Sequence, residues 1–262
     1  MNLHLSNKLA LVTASTGGIG LAIATSLAAE GAEVIVNGRS SQSVEQAMNT
    51  IKATVPNATL HSLVADNATA EGNAATVAAY PSVDILINNL GIYESVEFLQ
   101  STDEQWQNIL EVNVMSGVRL SRHYLGSMLK QDSGRIIFIS SESAVNPAPE
   151  MAHYSATKTM QMTLSRSMAE LTKGTQVTVN TVMPGSTRTE GVQKFVQNLF
   201  PELEYAEAER KFMADNRATS LIARLIDPQE IADFTTFLSS PLSAAMNGAA
   251  VRVDGGIVRS VF

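Results

Sequence analysis

The chain predicts a single doubly wound α/β domain built on a seven-stranded parallel sheet, and three observations predict it. Seven short apolar runs recur along its 262 residues, separated by longer amphipathic or Ala-rich stretches. Most of these runs lack polar alternation, the pattern of strands buried on both faces. A Gly-rich turn follows the first run directly. No linker, repeat or low-complexity tract divides the chain, so residues 1–262 read as one domain.

The strands are expected at residues 9–13 (Leu-Ala-Leu-Val-Thr), 33–36 (Glu-Val-Ile-Val), 60–64, 84–88, 135–140, 177–182 and 250–253. Helix starts between them are marked by capping boxes. Thr102 followed by Gln105 is one, and Asp227-Pro228-Gln229-Glu230 is another, with Pro228 at the first helical position, where its missing N–H costs nothing. One segment breaks the alternation. From 190 to 226 no strand is expected, and Val192, Phe195, Val196, Leu199 and Phe200 fall at helical spacing. Pro201 and Glu202 end that run before a charged helical stretch, 205–216. An insertion of this length reads as a helical substrate lid, or as a peripheral hairpin that only packs on the core.

Composition limits the function classes. Hydrophobic residues make up 45% and charged residues 16%, enough apolar material for one large core. The net charge of −7 disfavours nucleic acid as a partner, so any phosphate site must be built locally from backbone amides and a few cations. The absence of cysteine excludes disulfides, thiolate catalysis and Cys-ligated zinc. Four scattered histidines (His4, His61, His123 and His153) lack ligand spacing, so no metal is expected. A strand begins at Leu9 with no long apolar run before it, and every apolar stretch is strand-length. The expectation is a cytoplasmic protein without signal peptide or membrane span.

Thr13-Ala14-Ser15-Thr16-Gly17-Gly18-Ile19-Gly20 follows the first strand and opens a helix. Small residues there let backbone amides approach a pyrophosphate, with Ser15, Gly18, Ile19 and Gly20 as the expected contacts. An NAD site places an acid at the end of the second strand for the adenosine ribose hydroxyl. This chain has Asn37-Gly38-Arg39-Ser40 instead. Arg39 can bind a 2′-phosphate with its planar fork of donors, which favours NADP(H) over NAD(H); the other reading is a solvated loop arginine.

Tyr154 and Lys158 stand one helical turn apart, and Ser141 lies upstream at a strand end. A tyrosine is a poor acid or base at neutral pH, with an ordinary pKa near ~10. An ammonium on the same helix face is expected to favour the phenolate and lower that value, while Ser141 holds a substrate oxygen. No Gly-x-Ser-x-Gly elbow and no histidine partner for Ser141 appear, which disfavours hydrolysis.

With these pieces in place the chain resembles the short-chain dehydrogenase/reductase family, especially its 3-oxoacyl-[acyl-carrier-protein] reductase-like branch, over nearly its whole length. The resemblance implies a Rossmann-like fold. It matches the 13–20 turn, Asp66 and Asn67 beside the adenine, Asn88-Asn89-Leu90-Gly91 at a strand end, and Asn113 with Ser141, Tyr154 and Lys158 as a catalytic tetrad. Pro184-Gly185-Ser186-Thr187-Arg188-Thr189 resembles the segment that closes over nicotinamide, so Asn89, Gly91, Pro184, Gly185, Thr187 and Thr189 join the implied cofactor contacts. Two departures stand out: Ala14 replaces a glycine, disfavouring a positive φ, and Leu90 replaces an alanine.

The reaction implied is hydride transfer between NADP(H) and a carbonyl or secondary alcohol. Tyr154 is the expected general acid/base, Lys158 also binds ribose hydroxyls, and Asn113 holds a relay water. Leu90, Glu142, Ser143, Met151, Phe195 and Leu199 are candidate pocket residues, or else local packing. The net charge disfavours steering of an acidic carrier protein, so a free small-molecule substrate is expected. A homotetramer is implied, aided by the apolar C-terminal end, Val253 to Phe262. Alternatives are a non-catalytic redox sensor, a 3-oxoacyl-[acyl-carrier-protein] reductase of fatty acid synthesis, or an epimerase or dehydratase acting through transient oxidation.

Overall fold

The computed structural model describes residues 1–261; Phe262 lies outside the described residues. Its seven strands are β1 (Leu9–Val12), β2 (Glu33–Gly38), β3 (Leu60–Val64), β4 (Ile85–Asn88), β5 (Gly134–Ile139), β6 (Val177–Pro184) and β7 (Ala250–Val253). They form one parallel sheet in the order β3-β2-β1-β4-β5-β6-β7. Every expected strand is present, with ends moved by no more than two residues. Successive side chains of a strand point to opposite faces, and both faces here are apolar. Ala10 and Val12 of β1, Val34 and Val36 of β2, and Ile85 and Ile87 of β4 enter one core. Leu11, Ile35 and Leu86 enter the other. That is why the strands read as unbroken hydrophobic runs.

The first core is covered by α1 (Gly18–Ala29), α2 (Ser41–Thr54) and α9 (Pro228–Ser239), with Ile23, Leu27, Ile51, Ile231 and Leu238 buried there. The second is covered by α5 (Ser116–Gln131) and α6 (Ala152–Glu170), where Leu120 and Tyr124 pack on Phe138. The other helices are α3 (Ala70–Ala79), α4 (Asp103–Leu110), α7 (Glu190–Leu199) and α8 (Tyr205–Asn216). Both capping boxes form, Thr102 with Gln105 on α4 and Asp227 with Glu230 on α9.

The 190–226 insertion is a helical pair with a small core of its own. Val196, Ala208, Phe212, Met213 and Leu225 are buried in it. Phe195 packs edge-on against Phe212, yet remains half exposed. The pair is tied to the 184–189 segment by a parallel bridge between Thr187 and Ile226 and by a two-pronged ion pair. Arg188 Nε and Nη2 donate to Glu209 Oε2 and Oε1 at 3.1 and 2.7 Å.

The strand order reverses between β1 and β4, which opens a crevice at their carboxyl ends. The segments after β1, β2, β3, β4, β5 and β6 carry all the sequence-predicted site residues except Asn113, Tyr154 and Lys158, which helical segments bring to the same end.

Candidate active site

Residues 13–20 make a tight turn held from three sides. Thr13 Oγ1 donates to the Ile87 carbonyl at 3.2 Å and accepts the amides of Asn89 and Leu90, both at 3.0 Å. Asn89 Nδ2 donates to the carbonyls of Thr13 and Ala14 at 2.9 and 3.2 Å. Ser15 is fully buried, and its Oγ accepts the Asn37 amide at 2.9 Å. A Cβ at Gly20 would stand 2.5 Å from both the Ala14 carbonyl oxygen and Asn89 Nδ2, so only glycine permits this closure.

Ala14 does adopt a positive φ, 51°, contrary to the expectation from its side chain. Tertiary bonds override the local preference: the Ala14 amide donates to Asn37 Oδ1 at 3.1 Å while Asn89 takes its carbonyl. Gly18 is also left-handed, at 53°. The N-terminus of α1, at Gly18 and Ile19, has no side-chain cap, which leaves its amides for a phosphate.

Asn37 ties together the ends of β1, β2 and β3, a role the sequence reading missed. Its Nδ2 donates to the Leu63 and Ala65 carbonyls at 3.3 and 3.0 Å, and its Oδ1 accepts Asn67 Nδ2 at 3.1 Å. Asn67 is buried and also accepts Thr76 Oγ1, so it braces Asn37 against α3. Asp66 is half-buried, with Oδ1 on the Ala68 amide. Arg39 is exposed and makes no hydrogen bond or ion pair among the described residues, leaving its fork available to an anion.

The reactive end gathers Ser141, Tyr154, Lys158 and Asn113. Ser141 follows β5, and its Oγ donates to Glu142 Oε2 at 2.6 Å and accepts the Ser143 amide at 3.1 Å. Tyr154 stands beside Ser141, and its ring meets that of Tyr93 edge-on at 6.4 Å. Burial pushes the Tyr154 phenol above its ordinary 10.0; the neighbouring Ser141 hydroxyl offsets part of this, while the charges of Glu142 and Tyr93 add to it. The expectation that Lys158 lowers this phenol is therefore overturned. Lys158 Nζ lies 5.6 Å from the ring centre, and burial lowers its own value to about 8.

Lys158 Nζ donates to the Ile139 carbonyl at 2.9 Å and to Gln161 Oε1 at 3.3 Å. Gln161 Nε2 in turn donates to the Asn113 carbonyl at 2.6 Å. Asn113 sits in a π-helical turn, Glu111–Met115, and its side chain clamps Ile92, accepting the amide at 2.7 Å and donating to the carbonyl at 2.9 Å. The sequence reading overlooked Gln161, which links the Asn113 carbonyl to Lys158 Nζ. A Cβ at Gly91 would lie 3.3 Å from Lys158 Nζ and 3.5 Å from Asn113 Oδ1. The missing side chain lets this segment pass close to the lysine and leaves Nζ uncovered on that side.

Pro184 ends β6, and Gly185 and Thr187 are buried just beyond it, with Thr187 Oγ1 donating to the Gly185 carbonyl at 2.8 Å. Thr189 caps α7 by accepting the Val192 amide at 3.4 Å. His153, next to Tyr154, is buried near the Trp106 ring rather than on the phenol's proton path. No cluster able to hold a metal ion occurs among the described residues. No helix among them is long and apolar enough to cross a membrane.

Comparison with known proteins agrees with this arrangement. Residues 8–199 match the short chain dehydrogenase family. The uncharacterized oxidoreductase YvaG of Bacillus subtilis (strain 168) is 58% identical over 264 residues, covering 100% of each chain. The 3-oxoacyl-[acyl-carrier-protein] reductase FabG of Vibrio cholerae is 33% identical, over 97% of this chain and 99% of its own. The crystal structure of L-sorbose reductase from Gluconobacter frateurii, complexed with NADPH and L-sorbose, covers 100% of both chains with a TM-score of 0.93 at 30% identity.

Proposed function

Given that the chain belongs to the short-chain dehydrogenase/reductase family of oxidoreductases, we propose that it moves a hydride between NADP(H) and a carbonyl or secondary-alcohol substrate, with Tyr154 as general acid/base. The observation that carries this reading is the meeting of Ser141, Tyr154 and Lys158 beside the space that Gly91 leaves. The nicotinamide, when bound, supplies the hydride in reduction and accepts it in oxidation. In reduction the carbonyl carbon gains that hydride and its oxygen gains the Tyr154 proton, giving an alcohol.

Each residue has a part in this. Ser141 donates a hydrogen bond to the carbonyl oxygen and steadies the charge that develops there. A phenol held above its ordinary value keeps its proton until an alkoxide forms, which suits Tyr154 to the acid role. Lys158, buried and lowered to about 8, holds the ribose hydroxyls beside Tyr154. Asn113 and Gln161 position it. Gly18, Ile19 and Gly20 hold the pyrophosphate, Arg39 the 2′-phosphate, Asp66 the adenine, and Pro184 to Thr189 the nicotinamide side.

Calorimetry with NADPH and NADH on the wild type and Arg39→Ala tests the cofactor. The expected result is NADPH preference that collapses in the variant. Equal or tighter NADH binding, indifferent to the change, would overturn the NADP(H) choice. We also propose a homotetramer, with the outward face of α6 around Ala156, Met160 and Thr163 as one contact. Light scattering at a monomer mass would rule it out.

A further inference from the structure

The hydroxyl of Ser141 carries one proton, and two acceptors compete for it. In this structure the proton goes to Glu142, with Oγ and Oε2 2.6 Å apart. The Ser143 amide donates to the same Oγ at 3.1 Å, which occupies one lone pair and leaves the proton for the carboxylate. In the reaction proposed above, the substrate carbonyl is an acceptor and also needs that proton.

When Ser141 turns to the substrate, Glu142 loses its 2.6 Å side-chain donor and keeps only the backbone amides of Glu142 and Ser143. Arg217 does not replace it. Its guanidinium acts on Glu142 through its charge, but its bonds are directed elsewhere: Nε to Ser186 Oγ and Nη1 to the Asn216 carbonyl, both at 2.8 Å. Losing that short donor in a sheltered site is costly, so productive binding favours a new donor close to Ser141. A plain ketone or aldehyde brings none. A hydroxyl on the carbon next to the carbonyl brings one to the right place, because it lies within one hydrogen-bond length of the oxygen that Ser141 holds.

We propose that Glu142 is a specificity-determining residue that accepts the hydroxyl adjacent to the reacting carbon, so that the substrate class is the α-hydroxy carbonyl compound and, in reverse, the vicinal diol. This rests on the reductase reading above. The substrate hydroxyl takes the place of Ser141 on Glu142, and Ser141 swings its proton to the carbonyl. No bond to carbon is made or broken in this exchange. L-sorbose, held by the structural neighbour above, belongs to the same chemical class.

The test compares NADPH oxidation with acetone, hydroxyacetone and L-sorbose in wild type, Glu142→Ala and Glu142→Gln. The wild type is expected to favour hydroxyacetone over acetone by about a hundredfold or more in kcat/KM. In Glu142→Ala that ratio falls to near unity, with the acetone value rising because Ser141 is no longer held. Glu142→Gln keeps a weaker neutral acceptor and part of the preference. NADPH binding by each variant verifies the fold, and Glu142→Gln decides the matter if the alanine variant does not fold. Equal turnover of acetone and hydroxyacetone by the wild type, or a preference that survives Glu142→Ala, overturns the role of Glu142 while leaving the reductase reading intact. No turnover of any of the three sinks that reading, and this inference with it.

Discussion

Lys158 Nζ lies 5.6 Å from the centre of the Tyr154 ring, and its hydrogen bonds go to the Ile139 carbonyl and Gln161 Oε1. The pair thus shares a site without sharing a proton directly. Each is shifted mainly by burial, the lysine downwards and the phenol upwards.

The lysine shift has a stability signature. Between about 8 and its ordinary 10.5, the unfolded chain holds a proton on Lys158 that the folded chain has lost. Stability from this group therefore rises with pH across that window, and below it the folded state carries the full cost of a buried ammonium. Wild type should gain on Lys158→Met by up to about 3 kcal/mol over the window. Urea denaturation at stepped pH measures it, and a flat or falling difference rules it out.

Tyr154→Phe should reduce turnover by about 10²–10⁴-fold while NADPH binding changes little, since the ring remains and only the proton donor goes. Steady-state rates beside binding measurements separate the two effects. A variant that keeps its full activity would remove Tyr154 from the acid/base role.

Ala14 holds a left-handed backbone, φ 51°, for the sake of the turn it closes. Ala14→Gly should stabilise the protein by about 1 kcal/mol, because the steric cost outweighs the added freedom of the unfolded chain. Thermal and chemical denaturation show the gain; a loss would mean that the Cβ makes contacts worth more than the strain.

Glu209 joins α8 to the 184–189 segment through Arg188. Burial pushes this carboxyl up, but the hydrogen bonds from Arg188 and the Leu225 amide outweigh it and hold it below the ordinary 4.5. The stability it lends is present above that value and is lost as acid protonates it. Glu209→Gln should cost about 1–2 kcal/mol at neutral pH, a difference that shrinks below pH 4.5. Limited proteolysis in the 190–226 segment should quicken in parallel, and unchanged cleavage would show that the ion pair does not hold the helices down.

Much of this was legible in the sequence because it depends on neighbours along the chain. A strand buried on both faces must be apolar throughout, so β1, β2, β4 and β5 announced themselves. Capping boxes close within four residues, and the Tyr154–Lys158 spacing is one helical turn. The tertiary structure decided what depends on depth and on partners far apart. Burial reversed the expected direction of the Tyr154 shift, because desolvation outweighs an ammonium that lies over the ring rather than on the hydroxyl. Asn37, Asn67 and Ala14 come from three separate stretches, and no local pattern joins them. Even Ser141 and Glu142, adjacent in sequence, reveal their competition for one proton only once the fold turns both toward Tyr154 and Arg217, since the direction of a side chain is set by what packs around it.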